Sequence, residues 1–229
     1  MTAKQRYDSL STDRTQFLSI ATQATRLTLP QLVREEEEHR GAKNLITPWQ
    51  SVGAKGVVTL ASKLMLALVP PNTSFFKLQL DDSVLQGEGF PPEARSELDL
   101  SFAKIERTIL ESIAASSDRV VIHQALKHLI VAGNVLIFMG KEGLKMYPLN
   151  RYVIDRDGNG NVIEIVTKER VNYKLIENQV PEEVLMRKQM TVVDDTRDKN
   201  QEECDIYTHI KRDNNRFIWH QEVNDRIIP

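Results

Sequence analysis

Residues 117–149 read "SDRVVIHQALKHLIVAGNVLIFMGKEGLKMYPL", and their periodicity changes half-way along. Up to Gly133 the pattern is helical. It opens at Ser117 or Asp118, either of which suits an N-cap, and closes on a glycine that accepts the left-handed C-cap conformation. From Asn134 the period shortens: "NVLIFM" and "KMYPL" are apolar runs of strand length joined by a turn. Working outward from this switch, the upstream sequence is mainly helix and the downstream sequence mainly strand. That segregation predicts an α+β fold, with long N-terminal helices packed on an antiparallel β-sheet. It divides the chain into a mainly helical part, 1–133, and a mainly β part, 134–229.

Upstream, residues 94–116 form a long helix whose buried stripe is Leu98, Phe102, Ile105, Ile109 and Ile113. "NTSFFKLQL" (72–80) reads as a strand and "QGEGFPPEA" (86–94) as a Gly/Pro loop. The first helix covers 4–27, with Tyr7, Leu10, Phe17, Ala21, Ala24 and Leu27 spaced by three, four or seven and Pro30 ending the pattern. "REEEEHRGAKN" (34–44) is a charged, solvated connection. Downstream, "YVID", "NVIEIVTKERV", "DIYTHI" and "RFIWHQEV" continue the short strands between Asn/Asp/Gly turns. "LIENQVPEEVLMRKQM" (175–190) contains a helix starting near Pro181, and "TVVDDTRDKNQEEC" (191–204) reads as a mobile loop.

The 229 residues are 41% apolar and 27% charged, ordinary values for a globular chain that can bury a core. Net charge is −2, with bases and acids interspersed throughout, so the sequence lacks the basic excess of a protein that grips DNA by its phosphates. Cys204 is the only cysteine, which excludes an internal disulfide and a multi-cysteine zinc site. The first residues, "MTAKQRYDSLSTDRTQF", hold no apolar core of signal-peptide length, and a reducing, aqueous compartment is the default reading.

"TPWQSVGAKGVVTLASKLMLALVPP" (47–71) admits three readings. A phosphate loop needs G-x-x-x-x-G-K-[ST] after a strand, and Gly53-Ala54-Lys55-Gly56 does not supply it. A membrane span needs ~20 apolar residues, and Thr59, Ser62 and Lys63 interrupt this run. A core helix fits: Thr47 as N-cap, Pro48 at the first position, Gln50 completing a T-x-x-Q capping box, and Pro70 and Pro71 closing the end. Ser51, Lys55, Thr59 and Ser62 form a narrow polar stripe. The apolar remainder, including Val52, Val57, Leu60, Leu64, Met65 and Leu68, predicts burial on several sides, with Gly53, Gly56 and Ala61 allowing close neighbours.

"DRDGNGNVIEIV" (155–166) imitates a calcium loop through Asp155, Asp157, Asn159 and Gly160, but Val166 stands where the bidentate glutamate belongs. Its flanks alternate with period two, so it is read as a hairpin turn; Asp-Gly and Asn-Gly favour that turn. His123 and His128 are five residues apart and point to different helix faces. His209 and His220 show no spacing to a carboxylate that predicts a triad. No hydrolase elbow, metalloprotease helix or dinucleotide fingerprint is present, so no motif supports catalysis, and no cofactor or metal is expected.

Several segments together carry a resemblance: "TPWQSVGAKG" (47–56), "LASKLMLAL" (60–68) with Pro70, "ALKHLIVAGNVLIF" (125–138), "YVIDRDGNGNVIEIVT" (152–167) and "DIYTHI" (205–210). In order and approximate spacing they resemble the portal protein, or head-to-tail connector, of short-tailed (podovirus-type) bacteriophages. The motif residues are Thr47, Pro48, Trp49, Gly53, Gly56, Lys63, Gly133 and Asn134. Members of that family are longer than this chain. The resemblance implies that what is present is the wing, with the stem, clip and crown absent: either the sequence is a truncated portal or it is a naturally short relative, and the first is favoured because a wing without a stem cannot line a channel.

What the resemblance further implies is a non-enzymatic part. Portal subunits form a dodecameric ring at one capsid vertex of the virion, assembled in the host cytoplasm. The ring serves head assembly, DNA packaging, tail attachment and DNA ejection. Implied partners are further copies of the chain, major capsid and scaffolding proteins, the terminase, the tail adaptor and internal core proteins. Double-stranded DNA passes through without sequence-specific binding. Two other readings stay open on the residues alone: a soluble α+β adaptor or binding module contacting a partner through its charged loop at 191–203, and a metal-dependent enzyme using the 155–161 loop.

Overall fold

The computed structural model describes residues 1–33, 48–71, 73–79, 92–172, 176, 203–214 and 216–228. Several expectations lie outside those residues: the charged connection at 34–44, the N-cap role of Thr47, most of the loop at 86–94, nearly all of the helix expected within 175–190, and residues 191–202 of the mobile loop. The fold is α+β, as the period switch predicts. It consists of two compact units, one comprising the described parts of Met1–Arg26, Pro30–Thr47 and Tyr147–Pro229, the other Leu27–Leu29 and Pro48–Met146.

The first unit is a five-stranded antiparallel meander with a helix on one face. Strands β3 (Tyr152–Arg156), β4 (Val162–Asn172), β5 (Glu203–Asp213), β6 (Arg216–Val223) and β7 (Arg226–Ile228) pair in sequence order. Register places Val153, Val166, His209 and His220 in one row across four strands, with Lys168, Tyr207 and Glu222 in the next. Because side chains alternate along a strand, these rows share a face. Helix α1 (Ala3–Asp13) covers it, burying Ala3 and Tyr7 against Val153, Val166 and Tyr207. The opposite face buries Cys204 and Val223 with Ile176. Strand β7 follows a tight turn in which Asn224 and Asp225 both have positive φ; its hairpin signal was not read from the sequence.

Residues 4–27 are two helices rather than one. Helix α1 ends at Arg14, and α2 spans Thr15–Leu27. The break falls where hydroxyls bond back to the helix carbonyls: Thr12 to Asp8 at 2.9 Å and Thr15 to Thr12 at 2.8 Å. Of the expected stripe, Tyr7 and Ala21 are buried, whereas Phe17 and Leu27 are exposed. Helix α1 starts with a capping box: the Gln5 N–H donates to Thr2 Oγ1 at 3.3 Å, and the Thr2 N–H to Gln5 Oε1 at 3.1 Å.

The second unit contains α3 (Val52–Leu68), α4 (Pro92–Ala115), α5 (Asp118–Ala132) and a two-stranded ribbon of β1 (Leu136–Gly140) and β2 (Gly143–Tyr147), described through Met146. Helix α5 ends as expected on Gly133, left-handed at φ 73°, whose N–H donates to the Leu129 carbonyl. Helices α3 and α5 pack through Ala61, Met65, Val69 and Leu126. Asp118 Oδ1 accepts the Leu144 N–H at 2.7 Å, tying the start of α5 to β2.

Four expectations are corrected here. Helix α3 begins at Val52 with Ser51 as a cap that makes no side-chain bond, so Pro48 and Gln50 precede the helix instead of forming its first turn. A capping preference is worth about 1 kcal/mol, and packing of Gly53 against Leu27–Thr28 sets the first turn instead. Burial of α3 is confined to the stripe Val57, Ala61 and Met65, while Val52, Leu60, Leu66 and Leu68 are exposed. No side chain of α4 from 96 to 115 is buried, and Ile105 and Ile109 lie open. Residues 73–79 form no strand; the Leu78 N–H donates to a Glu106 carboxylate oxygen at 2.6 Å instead of to a neighbouring strand.

Candidate assembly surfaces

The motif residues gather at two places in the second unit. Pro48, Trp49, Gly53, Gly56 and Lys63 lie on α3 and the segment leading into it, and Gly133 and Asn134 lie at the end of α5. Trp49 is fully exposed. A Cβ at Gly53 would lie 2.9 Å from the Leu27 carbonyl oxygen, so the close approach expected of that glycine is real. A Cβ at Gly56 would meet nothing within 4 Å, contrary to expectation, because that residue sits on the outward side of α3. Lys63 and Asn134 are exposed. Position 47, which carries the motif threonine, lies outside the described residues.

The first unit holds a polar network that the sequence did not reveal. Arg6 Nη2 donates to Asp155 Oδ2 at 2.7 Å, and its Nε pairs with Glu164. His209 Nε2 lies 3.0 Å from Glu164 Oε2. The His209 and His220 rings meet edge-on at 5.2 Å, and His220 Nε2 lies 3.0 Å from Glu222 Oε1. The second oxygen of Glu222 accepts the Ala3 N–H at 2.7 Å, one of the amides that the first turn of α1 leaves without a helical partner. Burial acts to raise the Glu164 carboxyl, but hydrogen bonding from His209 and the Arg6 guanidinium outweighs it and holds the group below its ordinary value. Two buried carboxylates thus fasten the positive end of a helix to the sheet. Beside them Asp205 pairs with Lys168 at 3.4 Å and Arg170 at 3.1 Å. All of these acids are satisfied internally, so the arrangement is structural.

The 155–161 segment is the hairpin turn expected. Asp157 Oδ1 accepts the Asn159 and Asn161 N–H groups at 2.9 and 2.8 Å, and Oδ2 accepts the Asn161 amide at 2.9 Å. Those bonds, the Asn161 side chain first, hold the Asp157 carboxyl below its ordinary value. With Asp155 bonded to Arg6, both acids that imitate a calcium loop are engaged by the protein. Among the described residues no three or more His, Cys, Asp or Glu converge on a metal-sized site. Nor, among them, is any helix long and apolar enough to cross a membrane. His123 and His128 do point to different surroundings. His123 lies 3.4 Å from Ser62 Oγ, while His128 is buried and its pKa is pushed down to about 4 by that burial.

With chemistry engaged internally, the surfaces left open are apolar. In the second unit they are Trp49, Leu27, Val52 and Leu66, with Leu100 on one side of α4 and Ile105 and Ile109 on another. In the first unit Phe217, Ile218 and Trp219 are exposed beside Lys211, Arg212 and Arg216 at the β5–β6 turn. Exposed apolar side chains of this kind are candidate assembly surfaces.

A family model described as bacteriophage head to tail connecting protein matches residues 1–224. The chain belongs to that family. It is similar to the portal protein of Enterobacteria phage T3, 35% identical over 97% of this chain and 41% of the relative. To the portal protein of Escherichia phage T7 it is 33% identical, over 96% of this chain and 41% of the relative. To that of Enterobacteria phage SP6 it is 32% identical, over 70% of this chain and 31% of the relative. The connector chain therefore spans about two-fifths of the length of the T3 and T7 relatives. The signal for the exposed apolar residues was present in the sequence as apolar positions around most of the circumference of α3.

Proposed function

We propose that this connector-family chain is the wing part of a portal subunit of a short-tailed phage, acting within a dodecameric ring at one capsid vertex. The observation that carries this reading is the match of residues 1–224 to the connector family, supported by similarity to the T3 and T7 portal proteins along nearly the whole chain. In this reading the stem, clip and crown belong to the remaining length of the subunit. The ring nucleates head assembly, in contact with capsid, scaffolding and internal core proteins. It passes DNA inward under the terminase, then holds the tail adaptor and releases the DNA. Its role is structural, exercised in the host cytoplasm during assembly and afterwards in the virion.

The physical properties of the chain support a conduit. Each phosphate neutralised by a protein adds salt-sensitive affinity, which resists sliding, and a chain of net charge −2 does not add that drag. A ring also requires two different complementary surfaces per subunit that close at a fixed rotation, and the second unit offers apolar surface on two separate helices. The test is native mass spectrometry and negative-stain electron microscopy of the full-length protein. Closed rings are expected. A product that remains monomeric at all concentrations refutes the reading.

A further inference from the structure

The turn between β3 and β4, which imitates a calcium loop, carries a different chemistry. Asn159-Gly160 is the only Asn-Gly step in the sequence, and Asp157-Gly158 the only Asp-Gly step. In such pairs the glycine nitrogen can attack the carbonyl carbon of the preceding side chain, because no Cβ stands in the way. A Cβ at Gly158 or at Gly160 would meet nothing within 4 Å, so the turn is open at both positions. The structure separates the candidates. Asp157 is anchored through both carboxylate oxygens, by the Asn159 and Asn161 N–H groups and the Asn161 side-chain amide, at 2.8–2.9 Å. Those bonds favour its ionised form, and a carboxylate anion is a poor electrophile. The Asn161 amide is held by Asp157, and the next residue, Val162, is β-branched and begins β4. Asn159 is exposed, and its side chain makes no hydrogen bond to the described residues. The restraint on it lies next door: the Gly160 N–H donates to the Asp157 carbonyl oxygen at 2.9 Å, and a bond at the surface of a turn opens easily.

We propose that Asn159 is a self-modification site, losing its side-chain amide through a cyclic imide closed by the Gly160 nitrogen. When the turn bond opens, the Gly160 nitrogen gives its proton to solvent base and forms a bond to Asn159 Cγ. The Cγ–Nδ2 bond breaks, and the nitrogen leaves as ammonia. Water then opens the imide at one of its two carbonyl carbons. Attack at Cγ leaves aspartate in an unchanged main chain, and attack at the backbone carbonyl leaves isoaspartate, with the main chain rerouted through the side chain. No oxidant or reductant takes part. Either product sets a new negative charge beside Asp157. Isoaspartate also adds a carbon to the main chain inside the turn, which the two bonds that close it, Gly160 N–H to Asp157 and Asp157 N–H to Asn161, each 2.9 Å, cannot both absorb. The inference is independent of the connector reading.

The test follows the full-length protein through storage in mildly alkaline buffer, by intact mass and by mapping the peptide 157–168, which trypsin releases by cutting after Arg156 and Lys168. Digestion in heavy-oxygen water marks any conversion that occurs only after unfolding. A steady exchange of amide for carboxylate at position 159 is expected, recovered as aspartate and as isoaspartate, the latter methylated by an isoaspartyl methyltransferase. Asn159→Gln leaves the Asp157 bonds in place and is expected to abolish the change. Asp157→Ala is expected to speed it by about tenfold, through loss of the bonds that hold the turn closed. Conversion first at Asn161, or isomerisation first at Asp157, overturns the assignment. So does an unchanged mass of the folded protein over an interval in which the synthetic peptide 157–168 converts fully. An unchanged rate in Asp157→Ala overturns the role given to opening of the turn.

Discussion

A Cβ built on Gly53 would lie 2.9 Å from the carbonyl oxygen of Leu27, whereas one built on Gly56, in the same helix, would meet nothing within 4 Å. The two motif glycines therefore respond oppositely to the same substitution. Gly53→Ala forces a backbone contact apart and is expected to destabilise by about 1–3 kcal/mol. Gly56→Ala removes the flexibility cost of glycine in a helix and is expected to stabilise the isolated chain by about 0.5–1 kcal/mol. Thermal melts of the two variants check both signs. Equal effects would show that the Leu27–Thr28 segment does not rest on α3.

Glu164 is the centre of the clamp that holds α1 on the sheet. Glu164→Gln leaves Arg6 and His209 without their charged acceptor and is expected to cost about 2–4 kcal/mol. The sign with pH follows from its lowered folded-state value. The folded carboxylate holds its proton less tightly than the unfolded one, so the stabilisation is present above the ordinary value of 4.5 and is lost as the pH falls through the lower folded value. Asp205, raised by burial but lowered further by Lys168 and Arg170, acts in the same direction. Denaturant titrations between pH 6 and about pH 3 are expected to show falling stability in the native chain and a flatter profile in Glu164→Gln.

His128 behaves differently, because it is buried without a carboxylate and its folded pKa is pushed down to about 4 from 6.5. Between those values the unfolded state binds a proton that the folded state does not, so stability rises as the pH increases from about 4 to 6.5. The gain is on the order of 3 kcal/mol. An NMR titration of the His128 ring should show an imidazole that gains its proton only at the lower end of that window. Titration near the ordinary value would contradict that burial.

Asp155 and Asp157 are committed to Arg6 and to the turn, respectively. Millimolar calcium or magnesium is therefore expected to produce no heat in a calorimetric titration and no shift of the melting temperature. Asp157→Ala removes three hydrogen bonds from an exposed turn and is expected to loosen the hairpin locally, read as faster amide exchange at Asn159 and Asn161.

Local signals made the fold legible where a single residue type satisfies a local need. Gly133 ends α5 because φ of 73° suits glycine, and the change of period immediately after it separates helix from strand. The 155–166 hairpin was legible for the same reason. What stayed hidden depends on residues distant in sequence. The break at Arg14 follows from hydroxyl back-bonding within a pattern whose apolar spacing continues unbroken. The onset of α3 is set by Leu27 and Thr28, which no capping pattern at 47–50 reports. The Arg6–Glu164–His209 network joins a helix to two strands, and only the sheet register brings Glu164 near a histidine 45 residues away. The expected burial of α3 and α4 was wrong for an instructive reason. Periodicity reports that a face is apolar, and in an assembly component the partner covering that face need not be the same chain.

The chain contains two tryptophans, and both stand at the surface: Trp49 fully exposed and Trp219 68% exposed. Intrinsic fluorescence is thus a poor reporter of folding here, since neither indole leaves an apolar interior when the chain unfolds. The same placement makes it a reporter of association. Any partner that seats itself over the approach to α3 or over the β5–β6 hairpin must dehydrate one indole, shifting its emission to the blue and shielding it from quenchers in solution. Replacing each tryptophan in turn with phenylalanine would separate the two signals, so that one optical measurement follows each unit's docking independently.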